Sequence, residues 1–292
     1  MQPLEQSEAS LPVQSQPVSP RAPIGVNAAI QASRDATVIP RPRILDESSL
    51  KDRVGVVTGG HRGLGLEMAL VLCELEARAV YCFDLPAEPS EEWESTQQYV
   101  RRMNNGSRLE YVSPDGRANG RLHRRCRDCE TVGGEGCLEC PATEFQEVLD
   151  VDTCGVFLTA QAAGRQMVRF GNPGSIILIA SIAGNVAMKG EFLVAYKTSK
   201  SAVLQMSRSI ACELADKGIR VNTVSPGFFR SPMTKATFDR SPDVLRRWSE
   251  GSPIGRFARP DELRGVIAWL ASDASSFCTG SDIIVDGGYR VW

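Results

Sequence analysis

VGVVTGGHRGLGLEMALVLCELEA, residues 54–77, is the stretch whose reading decides the fold. Val54 to Val57 make a short apolar run of the kind a buried strand uses, and it leads into TGGHRGLG and then LEMALVLCELEA, which has helical spacing. Strand, glycine turn and helix in that order open a βαβ unit. The glycines permit the tight turn and let a pyrophosphate approach the helix N-terminus, where aligned backbone donors favour anions. A second strand, ARAVYCFD, ends in Asp84, nineteen residues after Gly65. An acid at that distance accepts a hydrogen bond from an adenosine ribose and repels a 2′-phosphate. Its competing role is local, a turn-forming acid before Leu85-Pro86. Arg62 inside the turn pulls the opposite way, because a guanidinium there pairs with phosphate.

A second stretch carries the chemistry. SIAGNVAMKGEFLVAYKTSK, residues 181–200, holds a hydroxyl, a phenol and an ammonium. Tyr196 and Lys200 are four apart, so on a helix they share one face. A free phenol titrates near 10; a neighbouring ammonium favours the phenolate and draws the tyrosine toward proton exchange with an alcohol or carbonyl. Ser181 ends the apolar run SIILIA, which reads as a buried strand, so its hydroxyl stands at the strand's carboxyl end, where open α/β sheets hold ligands. Taken alone, YKTSK reads equally as an exposed helix with an ordinary Tyr and Lys.

The glycine turn, the serine after a buried strand, YxxxK, VNTVSPG and VDGG occur in this order, and together they resemble the short-chain dehydrogenase/reductase family over roughly residues 50–292. The resemblance implies a single Rossmann-type, doubly wound parallel α/β sheet and hydride transfer between NAD or NADP and an alcohol or carbonyl. It implies catalytic roles for Ser181, Tyr196 and Lys200. It implies cofactor contacts from Thr58, Gly59, Arg62, Gly63, Leu64, Gly65, Asp84 and Asp115, from Tyr196 and Lys200, and from Pro226, Gly227, Phe229 and Ser231. Asp115, after the third short strand RLEYVS, matches the aspartate that holds the adenine amino group. The ending ASDASSFCTGSDIIVDGG is similar to fungal polyol and sugar reductases, such as mannitol dehydrogenase, xylulose or sorbose reductase and arabinitol dehydrogenase. Phe228, Phe229 and Trp248 equally suit a larger aromatic or polyketide ketone. Family members pair their long helices into dimers and tetramers, so a homodimer or homotetramer is implied.

The resemblance fails over Gly116–Pro141. Similar proteins have a helix and an apolar fourth strand there, ending in an Ala-Ala-Gly-type turn beneath the cofactor. GRANGRLHRRCRDCETVGGEGCLECP offers only Leu122, Val132 and Leu138 among charges and glycines, too little for a strand. In a 3-2-1-4-5 sheet that strand sits beside the first, so its loss opens the middle of the sheet. Three explanations stand: divergence; a zinc site from Cys126, Cys129, Cys137 and Cys140, whose central loop is short for such a site; or a shifted reading frame. Codons permitted for Arg121–Arg127 spell Val-Cys-Thr-Val-Ala-Ala-Gly when read one nucleotide later. Asp152 is a further departure, standing where the family usually has an asparagine in its proton relay.

Composition bounds the rest. The 292 residues carry a net charge of −2, so no global field recruits nucleic acid or anionic membrane. No apolar run approaches the roughly 20 residues that span a bilayer. Nine cysteines, an odd number without a secretory signal, read as reduced thiols, and a cytoplasmic protein follows. The first 45 or so residues, rich in Gln, Ser, Pro and Ala and without an aromatic, read as a disordered tail, giving a tail over 1–48 and a domain over 49–292. A Ser-His-Asp hydrolase is excluded: the only histidines are His61 and His123, and there is no GxSxG elbow. The rival reading is a dehydrogenase-like chain with a damaged cofactor floor, acting as a binding partner or standing as an inactive remnant.

Overall fold

A computed structural model describes residues 24–113, 136–230 and 242–292. The chain divides into two units, 1–43 and 44–292. In the first, helix α1 (Gly25–Arg34) occupies ten residues of the expected tail, and none of its side chains is buried.

Among the described residues the second unit contains six strands, each parallel to its neighbours. β1 (Val54–Thr58), β2 (Ala79–Phe83) and β3 (Leu109–Val112) pair in that order, with Val54 opposite Ala79 and Val80 opposite Leu109. β4 (Gly174–Ile179), β5 (Ile219–Pro226) and β6 (Asp282–Val285) form a second three-stranded sheet. Ala79, Val80 and Cys82 of β2 are almost fully enclosed, as a parallel strand covered on both faces requires. Helix α2 (Gly63–Glu74) crosses from β1 to β2 and buries Leu66, Met68, Ala69, Val71, Leu72 and Cys73, which is why its sequence is apolar nearly all round. Gly55 allows that closeness, since a Cβ there would lie 3.0 Å from Leu72 Cδ1. Helix α3 (Glu91–Met103) starts on the Ser90 hydroxyl, which accepts from the Trp93 N–H, and ends on Asn104 in the left-handed region.

Among the described residues no strand joins β1 to β4. The segment in which the sequence offers no fourth strand, 116–141, lies outside the described residues as far as 135. On β1, Val56, on the face away from α2, is 56% exposed. The two sheets share one hydrophobic core through helix α8 (Arg264–Ala271), whose Ile267 and Leu270 pack with Leu66 of α2, Ile177 and Ile179 of β4 and Val224 of β5. Polar contacts reinforce that layer. Arg53 Nη2 pairs with Asp273 Oδ1 at 2.7 Å, and Arg264 pairs with Glu74.

A second core lies on the other face of β4 and β5. It is closed by helix α5 (Gly155–Phe170) and helix α6 (Val194–Leu214), and helix α4 (Ala142–Leu149) packs against α6. Helices α4 and α5 run on continuously through one wider π turn, Asp150–Cys154. On α6, Val203 is enclosed and Met206, Ile210 and Leu214 pack into this core, so the apolar stripe there is a core face. Among the described residues no helix is long and apolar enough to cross a membrane.

Candidate active site

The glycine turn is built for close approach. Gly59 (φ +72°) donates its N–H to Phe83 O at 2.8 Å, tying the turn to β2. Any larger residue would collide: a Cβ on Gly65 would lie 2.1 Å from Gly59 O, and one on Gly60 would lie 2.9 Å from Cys82 Cβ. Gly63 (φ +57°) opens α2, whose first turn lacks intrahelical acceptors for its N–H groups, and Arg62 precedes it with no capping bond from its side chain. Thr58 ends β1 and Leu64 packs partly into the core. Asp84 is fixed beside this turn, its Oδ2 accepting from His61 N–H at 3.0 Å and its Oδ1 from Leu85 N–H at 2.8 Å. The carboxylate organises the turn, the local role that the sequence offers for it. The adjoining Tyr111 phenol, bonded to Pro86 O, is pushed up to about 12 by burial and then by the Asp84 charge.

The catalytic candidates meet at the carboxyl end of β4. Ser181 follows that strand, its Oγ accepting from Ala183 N–H at 3.1 Å, and begins the turn Ile182–Gly184. Gly184 presses that turn onto α6, since a Cβ there would lie 2.7 Å from the backbone carbon of Lys200. Ser201 Oγ donates to Gly184 O at 2.7 Å and fastens the contact. On α6 the Lys200 ammonium lies 5.5 Å from the centre of the Tyr196 ring. It reaches back to Ile179 O at 3.5 Å and faces Asp152 Oδ2 at 4.0 Å. Asp152 is delivered by the π turn, a feature frequent at functional sites, and also accepts from Ser199 Oγ at 3.4 Å. The departure from asparagine thus puts a half-buried carboxylate beside the lysine.

Pro226 and Gly227 close β5, with Gly227 N–H bonded to Val285 O. Phe229 is 3% exposed in the core that joins the two sheets, which leaves its backbone for the cofactor contact that the resemblance implies. Asp115 and Ser231 lie outside the described residues, as do Met233 and Phe238, and so do Cys126 and Cys129 of the zinc alternative. Beyond β5, Phe228 stacks on Trp248 of helix α7 (Pro242–Glu250), centroids 4.4 Å apart and planes at 14°, with Tyr289 edge-on at 5.1 Å. Glu191 is 8% exposed beside them, its Oε1 accepting from Trp248 Nε1 at 2.9 Å. Sequence reasoning missed Glu191, Lys197 and Tyr289, because KGEFLVAYK reads as a polar loop entering a helix.

Residues 130–290 match the family model described as enoyl-(acyl carrier protein) reductase. A short chain dehydrogenase/reductase of Aspergillus versicolor is 33% identical over 261 residues, covering 83% of this chain and 89% of that one. The chain is a short-chain dehydrogenase/reductase. The family is one of NAD(P)-dependent oxidoreductases, and the glycine cradle described above fits a dinucleotide. An NADP-dependent mannitol dehydrogenase of Hypocrea jecorina is 30% identical over 259 residues, covering 85% of this chain and 96% of that one. The crystal structure of a short-chain type dehydrogenase/reductase from Mycobacterium marinum superimposes with a TM-score of 0.72 at 34% identity, over 85% of this chain and 99% of that one.

Proposed function

We propose that this dehydrogenase interconverts a secondary alcohol and a ketone of the polyol/ketose class with NAD or NADP, using Ser181, Tyr196 and Lys200. The observation that carries the reading is the placement of Lys200. Its ammonium is anchored between Ile179 O and Asp152 and lies under the Tyr196 ring, on the segment of α6 against which Gly184 presses the Ser181 turn. In the reductive direction Tyr196 gives its phenolic proton to the substrate oxygen. Lys200 favours the phenolate that remains, and the Ser181 hydroxyl donates to the same oxygen. The nicotinamide, when bound, supplies the hydride that goes to the carbonyl carbon. Gly59 to Gly65 would hold the pyrophosphate against α2, while Asp84 and Arg62 face the adenosine ribose and decide between NAD and NADP. The polyol/ketose class rests on the mannitol dehydrogenase likeness over nearly the whole of both chains. The working domain is 49–292, cytoplasmic, a homodimer or homotetramer, acting on a small molecule and not on nucleic acid or membrane.

A second reading, a dehydrogenase-like partner that binds without turnover, is favoured by the departures at segment 116–141 and Asp152 from the family pattern and by the 56% exposure of Val56. Titration with NADH and NADPH, followed by nicotinamide fluorescence and then by turnover over a carbonyl panel, separates the two. The dehydrogenase reading expects binding and turnover, with Tyr196→Phe lowering kcat by about 10²- to 10⁴-fold while cofactor affinity holds. Binding without turnover supports the partner; binding of neither cofactor ends both.

A further inference from the structure

The loop that links the Ser181 turn to α6 is held more firmly than its sequence implies. At its start Asn185 Nδ2 donates to Ser225 Oγ at 3.3 Å and to Asp282 Oδ2 at 3.1 Å. At its end Lys197 donates to Ala187 O and, at 2.5 Å, to Glu191 O, so this ammonium is taken up by backbone carbonyls. Met188 (φ +47°) sits in the left-handed region, an uncommon state for a residue with a side chain that these tethers sustain. The loop therefore holds Glu191 in one place, five residues before Tyr196.

That place is the rim of the site. Trp248, which donates to Glu191 Oε1, stacks on Phe228, just beyond the carboxyl end of β5; Ser181 stands at the carboxyl end of the adjacent β4. Ligands of open parallel sheets lie outside these ends. Arg247, beside Gly190, and Lys197 are charged groups near Glu191, and the carboxylate's charge helps raise the Tyr289 phenol, after burial. Among the described residues no donor reaches Glu191 Oε2. That oxygen is not among the side-chain atoms sealed from solvent without a partner, so half the carboxylate's acceptor capacity is unused and open to a donor from outside.

We propose that Glu191 is a specificity-determining residue, accepting a hydroxyl of a polyhydroxylated substrate beyond the reacting carbon while the Phe228–Trp248 stack packs against the carbon chain. This rests on the dehydrogenase reading and narrows it: the substrate is a ketose or polyol rather than a hydroxyl-free or aromatic ketone.

The test uses the full chain with reduced cofactor and compares kcat/KM for a ketohexose, 2-hexanone and an aromatic ketone. The unaltered enzyme is expected to prefer the ketohexose. Glu191→Gln replaces a charged acceptor by a neutral one and should lower the ketohexose/2-hexanone ratio by about tenfold, through KM. Glu191→Leu should lower it further. A structural role alone would change both substrates together and leave the ratio where it was. A ratio unmoved within about twofold, or a preference for 2-hexanone or the aromatic ketone in the unaltered enzyme, overturns the assignment while leaving the dehydrogenase reading intact. Turnover of none of the three removes both. Should the Glu191 variants not fold, as read by thermal melting, Trp248→Phe frees the carboxylate from its indole pin and is expected to lower the same ratio severalfold; an unmoved ratio there counts against the proposal.

Discussion

At Gly184 a single hydrogen atom decides whether two elements of the site can meet. The Cβ of Gly184→Ala would fall within 2.7 Å of the Lys200 backbone, which cannot step aside as a side chain can, so the Ser181 turn would have to lift off α6. The expected outcome is a loss of about 1–3 kcal/mol in stability, read by denaturant melts, with kcat lowered more than cofactor affinity. Glu262 offers a residue-level test in pH. Arg256, bonded through both terminal nitrogens, and then the Arg259 N–H hold its carboxyl down at about 2 from the usual 4.5. The depressed value stabilises the fold above about 4.5, and that contribution is lost as pH falls through about 2. The pair is on the surface, so salt weakens it. An NMR titration of the Glu262 carboxyl should find the low value, and Arg256→Gln should return it toward the ordinary carboxylate range. Serine, tyrosine and lysine were legible in the sequence because a four-residue spacing on a helix is a local rule. Glu191 was not, because its burial is created by Trp248, 57 residues later.

The elements tell a mixed story about what local pattern can reveal. β1, α2 and β2 were readable because period and turn chemistry agreed. The π turn at Asp150–Cys154 was not, since its one-residue widening leaves the apolar spacing on either side intact. Segment 116–141, most of which lies outside the described residues, is legible only as a deficiency: it has no run of β-branched or aromatic residues such as a central strand needs. Paired truncations measure what covers β1. Val80→Ala, at a fully enclosed position, is expected to cost about 2 kcal/mol, whereas Val56→Ala, at 56% exposure, should cost under about 1. Equal losses in the protein as expressed would mean that another strand lies against β1. The shifted-frame explanation makes its own prediction at this scale. The transcript across Arg121–Arg127 should read one nucleotide out of register and restore Val-Cys-Thr-Val-Ala-Ala-Gly; an in-frame message leaves divergence or metal.

Over the whole molecule the core that joins the two sheets also controls thiol chemistry. Burial pushes Cys73 up to about 12 and Cys82 up to about 11, while Cys154 and Cys212 are exposed. A thiol reagent at neutral pH is expected to modify Cys154 and Cys212 and to leave Cys73 and Cys82 untouched until the fold opens, as mass spectrometry of labelled peptides would report. Because both buried thiols are raised in the fold, the stability they contribute is complete below about 9 and drains away as pH climbs toward 11 to 12. Melting temperatures followed from pH 8 upward should therefore fall, and Cys73→Ser, whose hydroxyl does not ionise in that range, should flatten part of the decline even though it lowers stability at every pH. The core itself was foreseeable as apolar periodicity. Its reach across both three-stranded sheets, through α8, was not.

By itself the sequence determined the order of strands and helices, the glycine cradle, and the pairing of Tyr196 with Lys200, since each depends on residues a few positions apart, where backbone sterics and helical geometry leave little choice. Only the tertiary structure decided that Phe229 belongs to the core, that Asp152 faces Lys200, and that Glu191 sits buried under Trp248. Those facts depend on which distant surfaces come into contact, and burial is a property of the assembled layers that no short stretch of chain carries within it.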